Sequence, residues 1–226
     1  MPTGSLVRQL DRLLNNSFAE DQEILYRARV LAGIVSLYVL LLVFTCGYMI
    51  ALAPLSISSI IVTTLLLLVM MSGYLYVLYQ LKYGSDYSRC IELTVLCTYA
   101  GVVSGIALSG GPMAAPGTPI MIVPIIIAFS LSTRHSGLKW SNIVFLTHIA
   151  MIAINEWVFR FPQLLDTSRM LTHHIAHWVV TYFAIIFLMM VFESITRRLK
   201  KERDAERDRY AYLAAHDPLT GLANRS

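Results

Sequence analysis

Apolar residues come along this chain in long runs, not at the spacing of a single helix face or strand face. The runs are Val30–Leu52, Ser56–Leu81, Ile91–Ser109, Thr118–Ser132, Leu138–Val158 and His174–Ile195. A helix that crosses the hydrocarbon core of a bilayer needs about 20 mostly apolar residues. In lipid, only helices and closed barrels satisfy their own backbone polar groups. The pattern therefore predicts an all-α integral membrane protein, a bundle of six transmembrane helices. The fourth run is the shortest and carries Pro119 and Pro124, which predicts a kinked or tilted helix.

Composition agrees. The chain of 226 residues is 56% hydrophobic and 14% charged, with a mean hydropathy of +0.61. Soluble domains average about 45–50% apolar and about 25% charged, so a disordered chain is excluded and a water-soluble globule is disfavoured. The net charge of +4 is topological. Arg27 and Arg29 precede the first run, Lys82 and Arg89 follow the second, Arg134 and Lys139 follow the fourth, and Arg197, Arg198, Lys200 and Lys201 follow the sixth. The opposite side holds Arg160 and Arg169 alone. The positive-inside bias puts both termini in the cytoplasm, as an even span count requires, and no nucleic-acid partner is implied. Tyr74, Tyr76, Tyr79, Tyr83 and Tyr87 gather where an interfacial aromatic belt would sit. Cys46, Cys90 and Cys97 lie in or beside apolar runs without a CxxC spacing, the pattern of small buried hydrophobes.

The first residues show no cleavable signal peptide. Residues 1–29 form a cytoplasmic amphipathic segment, with Leu6, Leu10, Leu13 and Leu14 set against Arg8, Gln9, Asp11 and Arg12. Such a stripe suits an interfacial helix on the inner leaflet or a helix packed on a cytoplasmic domain. Ser17 and Glu20 have the spacing of a capping box and predict a helix start there.

Within the runs, Gly101, Ser104 and Gly105 form a small-residue stripe that lets helices approach closely. Ionisable residues inside spans are costly and draw attention to themselves. His148 lies midway along the fifth run, Glu156 lies near its external end, and His173, His174 and His177 open the sixth. Three readings stay open for His148, Glu156, His173 and His177: interfacial packing, a metal or haem site, or sensing of pH or an organic ligand. Met70, Met71, Met189 and Met190 are either packing residues or the lining of a pocket for a lipid-like signal.

After Ile195 the composition changes to TRRLKKERDAERDRY, a charged helical connector with both signs interspersed. Then comes Asp217-Pro218-Leu219-Thr220-Gly221-Leu222-Ala223-Asn224-Arg225. Asp217 is a good N-cap and Pro218 a good first helical residue. This string resembles the opening of a GGDEF domain, the catalytic module of diguanylate cyclases, and every fixed position of D-x-L-T-G-L-x-N-R is matched. The loop from Ser109 to Gly117 is loosely similar to one in six-helix sensor modules of bacterial histidine kinases and cyclases. The resemblance implies a six-helix transmembrane sensor domain over 30–195, a cytoplasmic signalling helix over 196–216 that continues the last span, and the start of a truncated GGDEF domain over 217–226. Asp217, Pro218, Leu219, Thr220, Gly221, Leu222, Asn224 and Arg225 would form the turn into the output domain and are not catalytic residues.

The family condenses two GTP to cyclic di-GMP with Mg, in a homodimer on the bacterial inner (cytoplasmic) membrane. Its catalytic residues fall beyond Arg225, so this chain holds none and is expected to be inactive alone. The competing expectation is a small six-helix transporter or channel using Pro119, Pro124 and His148. A membrane-embedded enzyme ranks last, because no nucleophile–base pair or zinc motif appears.

Overall fold

The computed structural model describes residues 8–51, 56–164 and 170–216. The side chains of His173, His174 and His177 and all of Asp217, Pro218, Leu219, Thr220, Gly221, Leu222, Asn224 and Arg225 lie outside the described part. Among the described residues the protein is helical, without strands. The helices are α1 (Gln22–Ala51), α2 (Ile57–Tyr83), α3 (Tyr87–Leu108), α4 (Ile122–Leu131), α5 (Arg134–Trp157) and α6 (Met170–Ala215), with 3-10 turns at Asn16–Glu20 and Thr118–Met121.

Helices α1, α2, α3 and α5 are long and apolar enough to cross a membrane. The other apolar helical stretches, Thr118–Leu131 and Thr181–Ser194, are shorter. Large apolar side chains face outward on the long helices: Phe44 is 69% exposed, Val69 68% and Phe145 64%. In water such faces are a liability. In lipid they are the ordinary surface, because acyl chains solvate Leu and Phe as well as a protein core does.

The helix starts are set locally. Asp21 caps α1, its Oδ1 accepting from the N–H groups of Glu23 at 2.8 Å and Ile24 at 3.1 Å. This corrects the Ser17–Glu20 expectation: those residues lie in the 3-10 turn, which Asn15 caps by accepting from Ser17 N. The carboxylate of Asp21 suits the positive end of α1 better than a hydroxyl does. Ser56, Asp86 and Thr133 cap α2, α3 and α5 in the same way.

The fourth run changes from a 3-10 turn to an α-helix between its prolines: Pro119 sits in the first turn of the 3-10 segment and Pro124 in the first turn of α4, where the missing N–H costs little. Helix α4 has ten residues, about 15 Å at about 1.5 Å per residue, half of the roughly 30 Å core.

The N-terminal segment packs against the bundle. Leu14 and Phe18 are buried, Asn15 N donates to Leu81 O at 2.8 Å, and Phe18 meets Tyr87 edge-on. Arg29 donates through Nε and Nη2 to the two carboxylate oxygens of Asp11, at 2.6 and 3.1 Å.

The tyrosine belt divides. Tyr76, Tyr79 and Tyr83 are exposed and neighbour one another, while Tyr74 turns inward and Tyr87 donates to Leu131 O. The chain separates into units Met1–Leu188 and Met189–Ser226. In the second unit the α6 pair Glu193–Arg197 closes at 2.6 Å.

Candidate functional site

Helix α3 buries one stripe, Cys90, Ile91, Thr94, Val95, Thr98 and Gly101, spaced three and four apart so that they share a face. Its threonines do not carry unpaired hydroxyls into that face. Thr94 and Thr98 donate to the carbonyls of Cys90 and Thr94, each at 2.8 Å, the usual solution in an apolar helix. Tyr74 OH of α2 completes the set, 2.8 Å from Thr98 Oγ1.

Glycines bring α2 and α3 together. A Cβ on Gly73 would stand 2.6 Å from Cys97 Sγ, and one on Gly101 would stand 1.9 Å from Met70 Cε. Each glycine is thus the socket for a sulfur side chain of the facing helix. Gly105, one turn further along α3, has nothing within 4 Å of its Cβ position. It borders a chamber of about 320 Å³, lined by residues of α1, α2, α3 and the Thr118–Met121 turn, including Leu42, Leu67, Met70, Gly101 and Ile106. Ser109 is the one polar residue along its wall. Ser104, the third residue of the small stripe, is half-buried.

The segment from Ser109 to Gly117 follows α3 and is held by hydrogen bonds within itself and to its neighbours. Gly111 N and Ala115 N donate to Ile106 O and Gly111 O at 3.0 and 2.8 Å, and Thr118 Oγ1 donates to Pro112 O at 2.8 Å. Gly110 and Gly111 have φ of +93° and +85°, a conformation that side chains oppose. The chain after α5 is stitched to this loop: Gly110 N donates to Pro162 O, Leu164 N donates to Leu108 O, and Ser109 bridges Gln163. Asn155 orders the same strap, its Oδ1 accepting from Phe161 N at 3.1 Å.

The sequence-selected residues fall in different places. His148 is half-buried on α5, its Nδ1 3.4 Å from Met121 Sδ, beside a core of Ile106, Ala115, Met121, Val144 and Met151. Glu156 is exposed, with Asn155 Nδ2 at 3.5 Å. Eight residues of helix separate these two, about 12 Å of rise, so they do not share a site. Gly101 and Gly105 do meet at the chamber, with Met70. Among the described residues, no three His, Cys, Asp or Glu side chains assemble to hold a metal.

A polar cluster at the other end of α3 escapes the sequence reading. Glu92 accepts from Ser136 Oγ at 2.6 Å, from Trp140 Nε1 at 3.0 Å and from Lys139 Nζ. Lys139 also stands over the Trp140 ring. The signal was available, since Glu92 is an ionisable residue inside the third apolar run, the rule that selects His148 and Glu156. Further along, Tyr99 OH lies 2.5 Å from Thr147 Oγ1, a pairing without a sequence signal.

Among the described residues the fold is all-helical, with four helices long and apolar enough to cross a membrane and a half-open apolar chamber between helices. Comparison with family models, curated proteins and solved structures found no match.

Proposed function

We propose that this chain is the membrane sensor half of a diguanylate cyclase, with six spans and both termini in the cytoplasm of a bacterial inner membrane. The observation that carries the reading is the run from Asp217 to Arg225, which resembles the opening of a GGDEF domain and directly follows a charged helical stretch. A transporter has no use for that string. In this reading the complete protein is a homodimer whose GGDEF domains, with Mg and GTP, make cyclic di-GMP under control of the bundle.

Control requires a ligand that binds two bundle states unequally, since equal affinity shifts nothing. The chamber beside Gly105 supports the reading as a place where occupancy would alter how α2 and α3 pack. The helix α6 would carry that change toward the output domains.

The test is to join a diguanylate cyclase catalytic domain in frame after Ser226, reconstitute the fusion in lipid and measure cyclic di-GMP formed from GTP. Inserting one to four residues after Ala205 rotates the output by about 100° per residue, so activity is expected to vary with insertion length. Constant activity across the series defeats helix-borne coupling. Solute flux into proteoliposomes carrying the chain alone would favour a transporter instead.

A further inference from the structure

We infer that the chamber bordered by Gly105 is a binding site for a single-chain amphiphile: one alkyl chain lying along Gly101 and Gly105, with a hydrogen-bonding end group at Ser109. The inference deepens the sensor reading and rests on it for its purpose, but the binding itself stands on geometry alone.

Place comes first. The walls are formed by Leu42 of α1, Leu67 and Met70 of α2, and Val102 and Ile106 of α3, all on helices long and apolar enough to cross a membrane. Molecules that reach such walls arrive from the surrounding lipid and are apolar over most of their length. Ions and sugars are excluded, because nothing along the walls replaces their water.

Shape comes next. A volume of about 320 Å³ is at the lower end of the roughly 300–1,000 Å³ of ligand pockets. The chamber is half open, and the space beside Gly105 takes one short chain. The glycines make the room. Gly105 leaves open space where any other residue would place a side chain, and Gly101 admits the tip of Met70, an adaptable residue that suits a flexible ligand.

Polarity then sets the orientation. Ser109 is the polar residue on an otherwise apolar wall, at the end where Ser109 and Gly117 border the chamber. An end group that donates or accepts one hydrogen bond, as in a fatty acid or a fatty alcohol, meets that hydroxyl while its chain runs back between α2 and α3.

The experiment measures binding of radiolabelled decanoic acid to the full chain in phosphatidylethanolamine–phosphatidylglycerol nanodiscs, with empty nanodiscs subtracted. Saturable binding near one per chain is expected. Gly105→Leu fills the chamber and abolishes it. Because its new Cβ meets nothing within 4 Å, this variant is expected to fold, which an unchanged unfolding temperature checks. Ser109→Ala weakens binding about fivefold, the value of one hydrogen bond of about 1 kcal/mol. Equal uptake by wild type and Gly105→Leu, or uptake that never saturates, overturns the site. Native mass spectra showing a phospholipid retained by wild type and lost from Gly105→Leu overturn the single-chain assignment. If binding behaves as expected while the cyclase fusion ignores decanoic acid and every insertion, the sensor reading fails and the site stands.

Discussion

Ser136 on α5 donates to Glu92 on α3 at 2.6 Å, across 44 residues of sequence. Lys139 and Trp140 converge on the same carboxylate, so three donors from the first turns of α5 are gathered by one acceptor. Glu92→Ala leaves them without it and is expected to destabilise the protein by about 1–3 kcal/mol, the usual range for stranded polar groups. Glu92→Gln keeps one acceptor oxygen and is expected to cost less. Thermal unfolding in nanodiscs ranks the two, and with Trp157 and Trp178 replaced by Phe, Trp140 emission reports the local loss. Equal stability of all three proteins would remove the cluster from the structural account.

Gly111→Ala is expected to be costly where Gly105→Ala is not. At Gly111 the backbone has φ of +85°, and a Cβ would meet Phe161 at 2.8 Å and Asn155 Oδ1 at 3.0 Å. The conformation alone costs about 1–2 kcal/mol for an L-residue. The paired unfolding temperatures check it, and faster proteolysis of the strap at Phe159–Gln163 should accompany the loss.

Tyr74→Phe removes the hydroxyl contact to Thr98 but leaves Thr98 bonded to the Thr94 carbonyl. Because that hydroxyl keeps its backbone partner, the expected loss is small, about 0.6 kcal/mol and below about 1.7. A double-mutant cycle with Thr98→Val measures it. A coupling several times larger would show that the pair is a main clamp between α2 and α3.

Asp11→Asn unties the N-terminal segment from Arg29. Both side chains are partly exposed, 27% for Arg29 and 40% for Asp11, so the global effect should be about 0–1 kcal/mol. The local effect is larger: amide exchange at residues 13–18 should rise, since the segment then rests on Leu14, Phe18 and the Asn15–Leu81 hydrogen bond without the ion pair.

Ser85 and Met113 flank α3, and both are exposed. In a background with Cys46, Cys90 and Cys97 replaced by Ala, Ser85→Cys and Met113→Cys should be labelled from opposite sides of the membrane by an impermeant maleimide. In the orientation proposed from the charge bias, Ser85 is labelled from the cytoplasmic side. Labelling of both from one side would mean that α3 does not cross.

The helical class, the number of apolar runs and the positions of the breaks between them follow from the amino-acid sequence alone. The reason is physical: a segment in lipid must satisfy its own backbone, so length and apolarity suffice to mark it. Capping is equally local, although hydropathy trims it. The third run reads from Ile91, whereas α3 begins at Tyr87 because Asp86 caps it. The sequence stripe at Gly101 and Gly105 marked a close approach but not its division of labour, one glycine receiving Met70 and the other opening a chamber.

Only the tertiary structure decided which side chains meet. Runs that are apolar on every side carry little information about how each helix is rotated about its axis, and rotation determines neighbours. That is why Met121 is the partner of His148, and why Glu92, unmarked beforehand, is the centre of a polar cluster. Gly110 and Gly111 let the loop before α4 fold back on itself and on the strap after α5, a meeting of distant segments that the sequence pattern does not mark.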